Sequence, residues 1–469
     1  MNKAIKIIYI ALFVAACCTP AALFPFFASE QSIGKEDRAE LPALFDEDGL
    51  NKSFSDQFNL WFSQHMPFRP EVISVKNYVD SGWLGRATND VIVGREGQLF
   101  YTGETDDYTG VVMSERRLHN SARTVYLMQQ YCERNGAKFR FMCVPNKSTV
   151  YGSYMPAGYK RGETSNLQLM QKAFVDMKID HVDVAALMQE HVSDSRELYL
   201  RDDTHWTNYG ALLAYDGLRA SFGYEDNTDL SACENRCDWR GDLAKMLYPS
   251  FDITCDQYYY PLPQNNTRFI KPRKSGMNEQ AILENLMGDS EAMDTIIQAT
   301  NRSGKGKAYI SRDSFFRALL PYAINSYSYS YITRFRSFDL RDMQDGTYTD
   351  VIYETAERNL VKLTDEVPLI YALKTDEMPA GAKPAEVKEL KVDEADGEYV
   401  VYGLLDEAKT AAGDNIYIAV STENGTEYYE AFPISENERL ELEESSDYGF
   451  SARFKGKAPD VSSLSVVTG

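Results

Sequence analysis

The sequence has few basic residues for its length and very few histidines. Its 469 residues include 49 lysines and arginines against 70 aspartates and glutamates, for a formal net charge of −21, and only five histidines. Such an acidic chain repels the phosphates of nucleic acids and anionic lipid head groups, so nucleic acid is not expected as a partner. A neutral polymer or a small acyl donor suits this charge better.

Internal repeats and low-complexity tracts are also absent, and the chain is longer than one hydrophobic core usually supports. We therefore expect a catalytic part and at least one smaller module. Cysteines number seven, and Cys233, Cys237 and Cys255 share one segment without histidine. A zinc site there lacks an obvious fourth ligand, which favours disulfides or free thiols whose pairing the sequence does not fix. No metal or cofactor is expected.

One long apolar run, from Ile7 to Ala28, stands near the N-terminus. At about 20 residues it is long enough to cross a bilayer. Lys3 and Lys6 on its N-terminal side favour an orientation with the rest of the chain outside the cytoplasm. We interpret residues 1–29 as a signal anchor in the bacterial cytoplasmic membrane. A cleaved signal peptide, which would release the protein, and a lipoprotein cleavage before Cys17 are the alternatives.

Strand and helix patterns alternate through the middle of the sequence, which predicts an α/β fold with a mainly parallel sheet and helices on both faces. Two short β-rich runs separated by glycines predict a hairpin at 91–93 and 98–101. Further strands are predicted at 138–144, 179–184, 197–200, 307–311 and 327–333, and helices at 114–136, 165–177, 208–222 and 349–360.

The alternation stops in two places. Residues 225–306 contain cysteines, prolines and polar residues, and we interpret them as an insertion whose helical part, 278–300, is a plain surface excursion in preference to a cover for an active-site mouth. After residue 365, short β-rich runs separated by turns predict a small C-terminal β-sandwich over 366–469. Residues 30–365 then form the catalytic domain.

An acid lies two residues before a histidine in the segment Asp203-Thr204-His205, between a predicted strand and a predicted helix. Open α/β sheets place their sites at the carboxyl ends of strands. At this spacing Asp203 can accept the Nδ1 proton of His205, which leaves Nε2 free to act as a base.

Ser314 supplies the complementary half of this chemistry. It follows the apolar strand 307–311 and begins a predicted helix, whose N-terminal N–H groups favour negative charge on a carbonyl oxygen during attack. Each half alone has a simpler reading, because Asp-x-His is more often a surface loop or a metal-ligand pair and Asp-Ser is a common helix cap. Their joint occurrence at strand ends favours catalysis.

At this point the chain resembles the alginate O-acetyltransferase-like proteins of the SGNH hydrolase superfamily, including the group named for an Asp-His-His-Trp motif. The resemblance covers about residues 54–360. It rests on seven matches in the same order: Phe68-Arg69, Val93 to Tyr101, Val144 to Tyr151, Asp203-Thr204-His205-Trp206, Gly241-Asp242-Leu243, Asp313-Ser314-Phe315 and Glu357-Arg358-Asn359-Leu360.

The resemblance implies an SGNH-like, flavodoxin-like fold with Ser314 as nucleophile, His205 as base and Asp203 as the orienting acid. It also implies O-acetylation of an exopolysaccharide or cell-wall polymer in the cell envelope, with acetyl groups supplied through a multispanning membrane O-acyltransferase. The chain departs from the pattern at Arg312, where a glycine is common, and at Thr204, where the namesake motif has histidine. For the superfamily's asparagine, Asn146 is the candidate.

Three other functions remain open on the sequence. A carbohydrate acetyl esterase would use the same three residues. A non-catalytic polysaccharide-binding or assembly protein would account for Arg312 and for the aromatic tail, although alternating aromatics more often form a sandwich core. Asp202, Asp203 and His205 would suit a metal-dependent phosphoesterase, but the other four histidines lie away from ligand spacing.

Overall fold

The computed structural model describes residues 3–29, 37–46, 49–84, 88, 90–225, 228–262, 266–273, 276–288, 296–334, 338–375, 377–423, 425–435 and 446–469. Its α-helices are α1 (Lys3–Phe27), α2 (Phe54–His65), α3 (Arg69–Leu84), α4 (Thr105–Thr109), α5 (Glu115–Arg134), α6 (Lys147–Val150), α7 (Asn166–Met177), α8 (Val184–His191), α9 (Asn208–Ser221), α10 (Asp242–Leu247), α11 (Glu279–Gly288) and α12 (Leu320–Ser326).

The strands fall into the N-terminal and central part of the chain and the C-terminal part. The first group is β1 (Phe45–Asp46), β2 (Gly49–Leu50), β3 (Val91–Val93), β4 (Leu99–Tyr101), β5 (Lys138–Val144), β6 (His181–Val182), β7 (Glu234–Trp239), β8 (Cys255–Tyr259), β9 (Thr267–Lys271), β10 (Ile297–Asn301), β11 (Lys307–Arg312), β12 (Tyr329–Arg334) and β13 (Asp350–Ala356). The second is β14 (Leu373–Thr375), β15 (Lys383–Pro384), β16 (Val387–Ala395), β17 (Glu398–Leu405), β18 (Ile416–Thr422), β19 (Gly425–Glu430), β20 (Phe432–Ile434), β21 (Gly449–Lys455) and β22 (Leu464–Thr468).

Seven strands form the central sheet in the order β6-β5-β13-β11-β12-β10-β9. The first five strands run parallel to one another. At one edge of the sheet, β10 pairs antiparallel with β12, and β9 pairs antiparallel with β10. One face packs against α8, α9 and α12, and the other against α5 and α7. Helices on both faces bury the middle strands, as parallel sheets require. The predicted SGNH-like α/β fold is confirmed.

Two predicted elements are wrong. Residues 349–360 form no α-helix but strand β13 followed by a 3₁₀ helix at Glu357–Lys362, because β13 is paired on both edges, with β5 and β11. Residues 197–200 form no strand of the sheet. They fold back on the following turn, where Leu200 N donates to His205 O and Thr207 N donates to Leu198 O.

The expected excursion at 225–306 is part of the sheet layer. It contributes β9 and β10 to the sheet edge, and its predicted helix 278–300 ends at Gly288, after which the chain returns as β10. Tyr260, Phe269 and Leu283 from this segment are buried in the same cluster as the central strands. The reading of a plain surface excursion is therefore wrong.

The N-terminal apolar run forms α1, which contains Pro20 and Pro25. Among the described residues, no helix combines the length and hydropathy that a membrane crossing requires. Near its end, Phe24 stacks on Phe62 of α2 at 5.1 Å between ring centroids.

Six cysteines in the described part of the chain are free thiols: Cys18, Cys132, Cys143, Cys233, Cys237 and Cys255.

The C-terminal strands form the predicted β-sandwich. Antiparallel sheets with the orders β14-β19-β18-β22-β15 and β16-β17-β21-β20 enclose a core of alternating residues. Tyr399, Tyr402, Tyr417 and Phe432 are buried. Tyr399 lies in the sandwich core, as aromatics at alternating strand positions usually do, whereas Phe432 packs into the cluster that contains α5 and α7.

Arg116 on α5 connects the α/β part of the chain to the C-terminal sandwich through hydrogen bonds. Its side chain is only 3% exposed, and its guanidinium donates to the carbonyl oxygens of Asp414 at 2.6 Å and of Ala411 and Ala412 at 3.3 Å. Nε donates to the carbonyl of Asp447 at 3.4 Å. Burial lowers the pKa of Arg116, while the nearby Tyr448, Asp414 and Asp447 raise it. The contact is a cation held by carbonyl groups.

We predict that Arg116→Met lowers stability by about 2 to 4 kcal/mol, because several buried carbonyls lose their charged donor. Calorimetry should show a lower unfolding midpoint. Lys388→Met is the matched control, since Lys388 is 54% exposed and lies 3.8 Å from Asp406 in a surface pair. Equal midpoints for the two variants would contradict the role given to Arg116.

Candidate active site

Lys147 fixes the loop that carries the Asp-x-His motif by hydrogen bonds to its backbone. This fully buried ammonium donates to the carbonyl oxygens of Leu200 at 2.6 Å and Arg201 at 2.8 Å. Burial lowers the pKa of Lys147 to about 8, against the opposing charge of Glu104. After the loop, Thr207 caps α9, as predicted, by accepting from Gly210 N. Both contacts hold the loop at the carboxyl end of the sheet.

Asp203 is buried and each of its oxygens accepts two hydrogen bonds. Oδ1 lies 2.7 Å from Nδ1 of His205 and 2.9 Å from its backbone N. Oδ2 accepts from Trp239 Nε1 at 2.8 Å and from Asp242 N at 3.1 Å. Burial alone raises the pKa of Asp203, but the His205 charge and these donors outweigh it and hold the pKa well below its usual range. Asp203 is therefore a carboxylate.

Ser314 lies opposite this pair, and its Oγ is 2.8 Å from Nε2 of His205. Asp313 fixes the turn at Ser314, because its carboxylate accepts from Phe315 N at 2.8 Å and from Ala356 N of β13 at 2.7 Å. Trp206 Nε1 donates to Phe315 O at 3.0 Å and joins the two loops. The helix predicted after Ser314 begins as a 3₁₀ helix, Phe315–Leu319, and continues as α12.

The structure thus brings together the three residues that the sequence singled out, Asp203, His205 and Ser314. With Nδ1 bonded to a carboxylate, His205 keeps Nε2 as the acceptor for the serine hydroxyl proton. This arrangement can activate a hydroxyl nucleophile and later return the proton to a leaving group.

A second acid, Asp242, was not assigned a role from the sequence. Its Oδ2 lies 3.6 Å from Nδ1 of His205 and accepts from Thr204 Oγ1 at 2.7 Å. Burial and the adjacent negative charge of Asp203 raise the pKa of Asp242 to about 6. Gly241 permits this approach, because any side chain there would collide with the carbonyl of Asp202. The Gly241-Asp242-Leu243 motif was the available signal.

Asp202 and Asn146, which the sequence offered as site residues, lie outside the cleft at Ser314. Asp202 turns away from His205, and its Oδ1 lies 2.5 Å from the thiol of Cys255. Asn146 is fully buried, where it donates to Asp107 at 2.9 Å and accepts from Arg358 N at 3.2 Å. It does not line the cleft at Ser314, so its candidacy as the superfamily's asparagine gains no support.

Arg312, the departure from the family pattern, is also buried. Its guanidinium donates to the Asp313 carbonyl at 3.1 Å, and its side chain lines a separate cavity of about 300 Å³. Burial lowers its pKa to about 10.

A metal ion would find ligand atoms of Asp203, His205 and Asp242 within 4.8 Å of one another. This differs from the set expected from sequence, in which Asp202 took the place of Asp242. Both oxygens of Asp203 and both ring nitrogens of His205 already take part in the hydrogen bonds described above. Binding a cation there would break those bonds.

A cleft of about 350 Å³ opens beside Ser314 and His205. Its remaining walls come from α9, from the 3₁₀ helix after Ser314 and from the segment 225–306. Most of its lining is aromatic or aliphatic: Leu200, Trp206, Trp239, Tyr259, Tyr260, Leu262, Leu283, Met287, Phe315, Ala318, Pro321 and Tyr322. The sequence did not reveal this role for 225–306, because the contacts join positions far apart in the chain.

We predict opposite pH trends for two neighbouring acids. The folded pKa of Asp203 lies below its ordinary value of about 4, so the unfolded chain binds more protons there, and the carboxylate with its hydrogen-bond donors stabilises the fold above that pH. The stability lost in Asp203→Asn should be large at pH 7 and shrink as the pH falls below about 4. Thermal unfolding midpoints between pH 3 and 7 measure this difference.

Asp202→Asn is the control for that series. Burial raises the pKa of Asp202, so the folded state retains its proton longer than the unfolded chain and the wild-type carboxylate becomes a cost as pH rises. Relative to the wild type, this variant should gain stability from pH 4 to 7. Parallel curves for both variants would contradict the charge states assigned here.

Known proteins resemble the central part of this chain. Residues 91–297 match the family described as the SGNH hydrolase-like domain of acetyltransferase AlgX, a range that contains Asp203, His205 and Asp242 and ends before Ser314. Two relatives are each named probable alginate O-acetylase AlgJ. That of Pseudomonas aeruginosa is 23% identical over 54% of this chain, and that of Pseudomonas putida is 22% identical over 42%.

The chain spans 66% and 52% of the length of these two relatives. A solved structure of a DHHW family protein from Eubacterium siraeum is 19% identical, with a TM-score of 0.44, and the match covers 59% of this chain and 94% of that one. The resemblance predicted from the motifs is confirmed: the central part of the chain is similar to the SGNH hydrolase-like domain of acetyltransferase AlgX and to probable alginate O-acetylases.

Proposed function

We propose that this protein is a serine-type O-acetyltransferase that moves an acetyl group through Ser314 to hydroxyls of an exopolysaccharide or cell-wall polymer. The observation that carries the proposal is the continuous set of hydrogen bonds from Asp203 through His205 to Ser314 Oγ, at 2.7 and 2.8 Å, beside an open cleft. The names of the two relatives, both probable alginate O-acetylases, support acetyl transfer as the reaction.

The first half-reaction acylates the serine. Ser314 Oγ attacks the carbonyl carbon of the acetyl donor while His205 Nε2 takes the hydroxyl proton, and the carbonyl oxygen becomes an oxyanion. The C–O or C–S bond to the leaving group then breaks, and the leaving group takes the proton from Nε2. The Ser314 backbone N–H is the donor we assign to the oxyanion, a type of contact usually worth about 3 to 4 kcal/mol.

The second half-reaction transfers the acetyl group. A sugar hydroxyl gives its proton to His205 Nε2 and attacks the acetyl-serine carbonyl, and Ser314 recovers the proton when its bond to the acetyl group breaks. In both halves the imidazole becomes a cation. Asp203 at 2.7 Å and Asp242 at 3.6 Å from Nδ1 stabilise that cation.

The donor and the site of action are part of the same proposal. We assign the supply of acetyl groups to a multispanning membrane O-acyltransferase, and the reaction to the outside of the cytoplasm. The basic residue Lys6 ahead of the apolar part of α1 supports export, since signals for export begin in this way.

We predict that Ser314→Ala abolishes acetyl-enzyme formation, with a loss of at least about 1000-fold, because the attacking oxygen is gone. Intact mass spectrometry after incubation with p-nitrophenyl acetate detects the adduct. Ser421→Ala, in an exposed strand position of the sandwich, is the matched control. An unchanged adduct in the Ser314 variant, at an unchanged unfolding midpoint, would refute the scheme.

The same assay separates the alternatives. Passage of labelled acetyl groups to an added oligosaccharide supports transfer, whereas label that appears only as acetate supports the esterase. Acylation that EDTA removes and a divalent cation restores would favour the metal-dependent reading. A wild-type protein that binds oligosaccharide but forms no adduct would favour the non-catalytic reading.

Export is tested in cells. In a bacterial host, protease added to spheroplasts should degrade the protein, whereas a variant that lacks residues 1–29 should be protected inside. Fractionation distinguishes membrane retention from release after cleavage of the leader. Full protection of the complete chain would contradict an extracytoplasmic location.

A further inference from the structure

The cleft beside Ser314 is larger and more apolar than an acetyl group requires. We propose that it is an acyl-chain pocket, which lets the enzyme take donors with medium-length acyl chains, about four to eight carbons, in addition to acetyl. The proposal rests on the proposed acyl-enzyme at Ser314 and concerns which acyl groups that serine accepts.

The first argument is the position of the apolar surface. Ala318 lies in the 3₁₀ helix that follows Ser314, four residues further along the chain, and both residues line the cleft. Leu283 and Met287 of α11 contribute to the same lining. A chain whose carbonyl carbon is bonded to Ser314 Oγ therefore has aliphatic side chains along its path, which favour burial of methylene groups.

The second argument is that several polar atoms on the walls already have partners within the protein, although Gln257, Glu284 and Arg317 also line the cleft. Trp206 Nε1 donates to Phe315 O at 3.0 Å, and Trp239 Nε1 donates to Asp203 at 2.8 Å. Tyr259 donates to Asp238 at 2.9 Å. These side chains consequently offer the cleft ring faces and edges.

The same holds for two amides at the cleft. Asn208 Nδ2 donates to Tyr258 O at 2.8 Å, and Gln280 Nε2 donates to Glu284 at 3.0 Å. A sugar ring carries several hydroxyl groups that need partners when they lose water, so specific sugar sites hold free donors and acceptors. An alkyl chain has no such requirement. The cleft therefore suits the acyl chain better than the acceptor sugar.

The chemistry is unchanged by chain length. Ser314 Oγ bonds to the acyl carbonyl carbon, the bond from that carbon to the donor oxygen or sulfur breaks, and the leaving atom takes the proton from His205 Nε2. A longer chain adds only buried methylene groups. Each one should raise kcat/KM about fourfold until the cleft is full.

The test is a series of p-nitrophenyl acetate, butyrate, hexanoate and octanoate with the full chain. We expect kcat/KM for acylation of Ser314 to rise by at least about 10-fold from acetate to hexanoate. The intact mass should increase by the corresponding acyl group. Rates that fall steadily from acetate onwards would overturn the pocket while leaving the acetyltransferase proposal intact.

No adduct with any ester, acetate included, would instead overturn the proposed function itself. Ala318→Phe supplies the second measurement, because a phenyl ring at this position shortens the cleft. The ratio of hexanoate to acetate kcat/KM should drop by at least about 10-fold.

Ala408→Phe is the matched control for that variant. Ala408 is exposed and also lies in a 3₁₀ helix, Glu407–Lys409, so the same substitution there should leave the ratio at the wild-type value. An unchanged ratio in a folded Ala318 variant would contradict the pocket. If circular dichroism shows that this variant fails to fold, the wild-type ester series still decides the question.

Discussion

A buried negative charge on Asp203 sets the geometry of the site. Removing a carboxylate from water is costly unless several donors replace the lost hydration. Here the donors come from two separated parts of the chain, the His205 segment and the pair Trp239 and Asp242. The need to satisfy one carboxylate thus joins the Asp-x-His loop to the segment 225–306 and fixes the plane of the imidazole, whose other nitrogen then meets Ser314.

Much of this arrangement follows from local sequence patterns. Capping residues and amphipathic spacing locate α5, α7 and α9, and glycines between short apolar runs locate the hairpin of β3 and β4. The three proposed catalytic residues were found from the Asp-x-His spacing ahead of α9 and from the position of Ser314 after the apolar strand β11, at the carboxyl edge of the sheet. Local sequence patterns are sufficient to place a residue where a single helix, strand or turn determines its position.

Sequence reasoning failed where long-range contacts decide the structure. Strand β13 has a polar pattern compatible with a helix, but pairing on both edges within the sheet overrides that preference. Residues 197–200 join no strand of the sheet because their backbone groups have other partners: Leu200 N donates to His205 O, and Leu198 N donates to the hydroxyl of Tyr151. Asp242 and the cleft walls lie beyond any local rule, since their neighbours come from about 40 to 110 positions away.

Reaction and selectivity are encoded in different stretches of this chain. Ser314 and His205 lie on short loops fixed to the parallel strands, whereas several walls of the cleft come from the segment 225–306, which adds two strands to the sheet edge. Within that segment, Leu283 and Met287 of α11 can change without disturbing proton transfer, whereas Trp239 and Asp242 cannot, because both donate to Asp203. A lineage built on this plan can change its donors by drift in one segment, and a chimera that exchanges the same segment between relatives would inherit the donor preference along with it.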